Sequence, residues 1–158
     1  MIKLFTRTVD ATELCNSRLF NNETFYRVFT KDIQSAKRRI YIESPYITTR
    51  RMDELMPLFD RAKRRGIHVT INTRCPDEHE GVYIEQARDA IATLQALDIT
   101  VLYTVKLHRK LAVIDDLLWE GSLNILSQHD SCEIMRRIDS DKLVADMLEF
   151  IHISQFLK

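Results

Sequence analysis

The sequence predicts an α/β fold, with a mixed, mainly parallel β-sheet and helices on both faces. Three observations carry this. Short apolar strand-like runs alternate with amphipathic helical stretches in the order β-α-β-α-β, which calls for parallel strands covered by helices. A two-residue turn, Asp115-Asp116, then joins two apolar runs as a hairpin and adds antiparallel strands. The 158 residues are 45% hydrophobic and 29% charged, enough for one domain with a full core. A single domain over residues 1–158 is expected, with its core at about 22–156.

The elements follow in order. Residues 1–20 show no clear period. Over 23–37, Phe25, Val28, Phe29, Ile33 and Ala36 recur at helical spacing, and Asn22 is placed to cap that helix. Residues 39–44 read as a strand stopped by Pro45. Residues 52–65 form a second helix with the stripe Leu55, Leu58, Phe59 and Ala62, ended by Gly66. A strand at 67–72 precedes a third helix at 82–97, with Ile84, Ala87, Ile91 and Leu94 inward. Strands follow at 99–105, 107–114, 117–120 and 133–138. A last helix at 141–156 presents Leu143, Val144, Met147, Leu148 and Ile151.

Bulk properties exclude several classes. The 23 basic and 23 acidic side chains cancel, so attraction to nucleic acid must come from local patches. Only 3 Gly and 3 Pro leave little room for disordered linkers. Cys15, Cys75 and Cys132 lack metal-ligand or redox spacing and read as free thiols of a reducing compartment. No signal peptide and no membrane span is evident, so a cytoplasmic location without membrane attachment is expected.

One stretch carries chemistry. His108-Arg109-Lys110-Leu111-Ala112-Val113-Ile114-Asp115 is followed by Gly121-Ser122-Leu123-Asn124. Two residues apart on a strand, His108 and Lys110 share a face. An imidazole that can attack, beside an ammonium that can hold an anion, is a workable site for splitting a phosphodiester. The set occurs once, and the chain has no internal repeat.

His108-x-Lys110, then four residues and Asp115, then Gly121-Ser122-x-Asn124, resembles the signature of the phospholipase D superfamily. Glu133 resembles the acidic residue downstream in that family. The upstream segment Arg39-Ile-Tyr-Ile-Glu-Ser-Pro-Tyr-Ile-Thr48 fits too. The stretch 118–127 with 133–137 is similar to phospholipase D-like domains attached to bacterial DNA helicases, and to small single-motif nucleases.

The resemblance implies a phospholipase D-like fold and a metal-independent phosphodiesterase that needs no cofactor. It implies cleavage of DNA through a covalent phosphohistidine. His108 attacks phosphorus, and a carboxylate holds its other nitrogen; Glu133 is the first candidate and Asp115 the second. Lys110, Ser122 and Asn124 bind the phosphate oxygens. Asp115 also reads as a turn aspartate that hydrogen-bonds its own backbone. Leaving-group protonation calls for a second histidine. Family members with two motifs supply it internally; here a two-fold homodimer brings His108 of each subunit to one phosphate. Association with a helicase is also implied. The rivals are lipid hydrolysis or transfer by the same residues, and a non-catalytic DNA-binding domain of a helicase or restriction system.

Substrate contacts are expected where strand 39–44 ends, because ligands in open α/β sheets bind at strand C-termini. Arg50, Arg51, Arg74 and Arg109 are the candidates for backbone phosphates, and Ser44, Tyr46 and Thr48 line the same connection. His68 reads as a packing or surface histidine, His152 as structural, and His79 as part of a charged loop. His129, between Asn124 and Glu133, is placed near the site. Trp119 either packs in the hairpin or stacks on a base. Glu43, inside a strand, either faces water or pairs with a buried cation.

Overall fold

The computed structural model describes residues 11–128 and 130–157. Seven strands form one sheet. They are β1 (Ser17–Asn21), β2 (Arg39–Glu43), β3 (His68–Thr73), β4 (Thr100–Tyr103), β5 (Leu111–Ile114), β6 (Leu117–Gly121) and β7 (Ile134–Asp139). The helices are α1 (Asn22–Ser35), α2 (Thr49–Arg64), α3 (Val82–Ala96) and α4 (Asp141–Phe150). The sheet order is β1-β7-β6-β5-β2-β3-β4. Parallel pairing joins β2 to β3 and β3 to β4; every other pair is antiparallel. The sheet is therefore mixed, with more antiparallel than parallel pairs, whereas a mainly parallel one was expected.

Strand alternation sorts the core into two layers. Ile40, Ile42, Val69, Ile71, Ala112, Ile114 and Trp119 face α1, α2 and α3. Tyr41, Leu111, Val113, Leu118 and Ile138 face Val144 and Leu148 of α4. Helices thus cover both faces, as the pattern of apolar positions required.

Several boundaries differ from expectation for identifiable reasons. The N-cap of α1 is Asn21, not Asn22: its side chain accepts from Thr24 N–H at 3.0 Å, and Thr24 Oγ1 accepts from Asn21 N–H at 3.1 Å. Strand β1 lies at the sheet edge, pairs only with β7 and is largely exposed, so Ser-Arg-Leu-Phe-Asn carries little hydrophobic signal. α4 stops at Phe150; Ile153 N–H returns to Leu148 O, and His152 takes a left-handed backbone (φ 58°). His152 therefore sits past the helix rather than on it. Among the described residues no helix is long and apolar enough to cross a membrane.

Candidate active site

The hydrogen-bonded part of β5 begins at Leu111, so His108 and Lys110 precede the strand instead of lying within it. The reason is the partner strand. β2 ends at Glu43, opposite Leu111, and the chain then turns away through Pro45. The expected common side survives: Lys110 Nζ lies 3.4 Å from His108 Nδ1 and donates to His108 O at 2.6 Å. His108 is exposed and Lys110 half-buried. Gly121 N–H donates to Lys110 O at 3.3 Å and ties the segment to the end of β6.

Arg109 points the other way. Its Nε and Nη2 grip the fully buried Glu43 at 2.7 and 2.9 Å. Tyr41 donates to the same carboxylate at 2.6 Å and Asn72 at 2.9 Å. Asn72 also reaches Thr104 Oγ1 at 3.0 Å. Burial opposes the charge on Glu43, but Arg109, Tyr41 and Asn72 outweigh it and hold the carboxyl below its ordinary range. Burial, with Glu43 alongside, pushes the Tyr41 phenol well up. Arg109 was expected on phosphate. Its guanidinium is instead committed to Glu43, which settles Glu43 as the partner of a cation.

Glu133 and Arg74 lie within electrostatic reach of Lys110. Burial lowers the Lys110 pKa, Glu133 opposes that, and Arg74 adds to it. Ser131 donates to Glu133 at 2.7 Å. Ser122 sits beside β7: its Oγ accepts from Ile134 N–H at 3.1 Å, and its own N–H donates to Ile134 O at 2.9 Å. This close approach requires glycine at 121, where an added Cβ would fall 2.1 Å from Ile134 O. Asn124 and Glu133 line one polar cavity of about 310 Å³ with Tyr26, Arg51 and Gln128, and Asn124 Oδ1 is buried with no hydrogen-bond partner among the described residues. His108, Lys110, Ser122, Asn124 and Glu133 thus gather at one end of β5 and β6.

Asp115 is not among them. It follows β5 at the opposite end, about 16 Å from Lys110 along extended chain. It takes the left-handed turn position (φ 53°) of the two-residue hairpin. Its carboxylate accepts from the backbone N–H groups of Lys37, Arg38 and Arg39 at 2.8, 2.9 and 3.1 Å. Burial works against that charge, and these backbone donors more than offset it, so its pKa is lowered. The expected turn position is observed, but the backbone it bonds is that of Lys37, Arg38 and Arg39 rather than its own, and a holder of His108 it is not.

The connection after β2 also differs from expectation. Ser44 and Thr48 are buried and stitch backbone. Ser44 Oγ accepts from Leu126 N–H at 3.1 Å, and Thr48 Oγ1 accepts from Gln128 N–H at 3.0 Å. Expected to touch substrate, they instead hold the loop after Asn124 in place, because its buried N–H groups need acceptors. Arg51 is half-buried, lies 3.5 Å above the Tyr26 ring and pairs with Glu54. Arg50 is exposed. Arg74 donates from Nε to Leu107 O at 2.7 Å and sits 5.4 Å from the Tyr46 ring centroid. His79, read as part of a charged loop, is buried against Tyr46 with ring centroids 5.2 Å apart. Burial, then Arg74, pushes its imidazole pKa down. Trp119 is fully buried and donates to Asp32 at 2.9 Å, which is the packing role. His129 lies outside the described residues. Among the described residues Cys15, Cys75 and Cys132 form no disulfide. Among the described residues, no three His, Cys, Asp or Glu side chains come together as metal ligands.

Sequence reasoning missed Asn72, Thr104 and His79. Asn72 had one available signal, a polar residue within the apolar run of β3.

A family model described as "Cardiolipin synthase, PLD-like domain" matches residues 29–153. The chain belongs to this phospholipase D-like family. Its fold is that of Nuc from Salmonella typhimurium, a phospholipase D family member (21% identity, TM-score 0.71, 89% of this chain and 94% of that one). NucT from Helicobacter pylori is similar over 89% and 96% of the two chains, at 18% identity and TM-score 0.65. Phosphatidylserine synthase from Haemophilus influenzae matches 91% of this chain but 37% of its own, at 17% identity and TM-score 0.73. No curated protein matches the chain in sequence.

Proposed function

We propose that this protein is a metal-independent phosphodiesterase that cleaves DNA in a homodimeric active site. The observation that carries the reading is the exposed His108 imidazole with the Lys110 ammonium 3.4 Å from its Nδ1. One ring nitrogen of His108 attacks phosphorus while the bond to the leaving oxygen breaks. Lys110 and Asn124 take up the charge on the non-bridging oxygens, and Ser122 holds the start of β7 beside them. Glu133 holds the proton on the imidazole's other nitrogen. His108 of the second subunit protonates the leaving oxygen. It then takes a proton from the water that splits the phosphohistidine. A DNA end carrying a phosphomonoester is thereby released and the first imidazole restored. Arg50 and Arg74 contact flanking phosphates.

DNA is favoured over lipid because Nuc and NucT match over nearly their whole lengths, whereas phosphatidylserine synthase matches over 37% of its own. The test is cleavage of labelled DNA in excess chelator, with wild type beside His108→Ala. Chelator-resistant cleavage lost in the variant is expected. Activity confined to phosphatidylcholine micelles would overturn the DNA assignment, and full activity of a demonstrated monomer would overturn the shared site.

A further inference from the structure

A second surface, beside the site, is built for bases, and it shares Arg74 with the phosphate contacts. Four side chains pack together here: Arg74 and His79 from the loop between β3 and α3, Tyr83 from the first turn of α3, and Tyr46 from the connection after β2. Tyr46 lies 5.2 Å from the His79 ring, 6.1 Å from the Tyr83 ring and 5.4 Å from the Arg74 guanidinium carbon. Arg74 joins this group to the site, since its Nε holds Leu107 O, next to His108. Among the described residues no carboxylate pairs with Arg74. The chain after β4 is bonded to the same loop: Thr104 N–H donates to Thr73 O at 3.0 Å, and Lys106 N–H to Glu78 at 2.8 Å. Tyr103, 49% exposed, ends β4 opposite Thr73, the residue before Arg74, and Tyr83 is 36% exposed.

We infer that Tyr83, Tyr103 and Arg74, backed by Tyr46 and His79, form a stacking platform for the unpaired bases next to the scissile phosphate. The preferred substrate is then single-stranded DNA. This rests on the phosphodiesterase reading above.

Three considerations decide for bases. Exposed aromatic rings mixed with an arginine that no described carboxylate neutralises are the chemistry that binds single strands. With 23 basic and 23 acidic residues, phosphate attraction is limited to local patches, so stacking must supply much of the affinity. A duplex offers nothing here, because its base faces are already covered by neighbouring pairs.

The experiment compares Tyr83→Ala, Tyr103→Ala and Tyr83→Phe with wild type on three substrates. These are a single-stranded 12-mer, the same sequence as duplex, and methyl 4-nitrophenyl phosphate. Each alanine variant should lose about tenfold in kcat/KM on the single strand, in line with the loss of one stacked base. On the duplex and the small diester it should change less than twofold, and Tyr83→Phe should behave as wild type. Equal losses on all three substrates, or no loss on the single strand, would overturn the platform. If the wild type shows no His108-dependent turnover of the small diester, the phosphodiesterase reading itself fails.

Discussion

Arg109 and Glu43 form a two-point ion pair, at 2.7 and 2.9 Å, between the residue separating His108 from Lys110 and a fully buried carboxylate of β2. The middle residue of the motif is thus the anchor of the motif. Because it points away from its neighbours, fixing it fixes the side to which the imidazole and ammonium project.

Arg109→Ala leaves the Glu43 charge buried and unpaired. It is expected to cost about 3–5 kcal/mol of stability in denaturant unfolding. The double variant Arg109→Leu/Glu43→Leu should recover much of this while remaining poorly active, because the anchor is gone. An Arg109→Ala protein of wild-type stability would show that the pair does not hold the segment.

Asp115→Ala removes three backbone hydrogen bonds at the far end of β5. A loss of about 3 kcal/mol is expected, with kcat per folded molecule near wild type. The sign of the pH effect follows from the lowered pKa. The wild-type contribution is present above the unfolded carboxyl value and disappears as pH falls through the folded one. Stability curves of the two proteins should therefore converge in acid. A kcat loss of a hundredfold at unchanged stability would return Asp115 to the chemistry.

Lys110 has a pKa lowered chiefly by burial. Since the ammonium is the form that holds phosphate oxygens, kcat/KM should fall on the alkaline side, beginning below the ordinary lysine range. Lys110→Arg, permanently charged, should remove that limb even if its absolute rate is lower. A pH–rate profile of the two proteins decides it; identical alkaline limbs would assign the limb to another group.

Gly121→Ala drives a methyl group into Ile134 O and pushes β7 from β6. Both Ser122 and Glu133 depend on that junction. Loss of at least a hundredfold in kcat is expected, together with a lowered Tm. An active, stable Gly121→Ala protein would mean the close approach is dispensable.

How much was legible depended on burial and on range. The strands and helices of the two core layers could be read, because alternation and 3.6-residue spacing report burial directly. Edge strand β1 could not, since exposure erases the pattern. The residues of the site could be nominated from types and spacing, and the structure gathers five of them at one end of β5 and β6. The roles of Arg109, Ser44 and Thr48 were not legible, because each is decided by a partner distant in the chain. Glu43 is 66 residues from Arg109, and Leu126 is 82 from Ser44. Spacing identifies which side chains share a side of a strand; it is silent on what lies across from them.

The most direct test of the central claim is to trap the intermediate. DNA labelled at phosphorus is mixed with the protein in excess chelator and quenched in alkaline detergent, and the labelled peptide is sequenced. A phosphoramidate on His108, absent from His108→Ala, is the result this account predicts. Cleavage that proceeds with no adduct, or an adduct on any other residue, would contradict it.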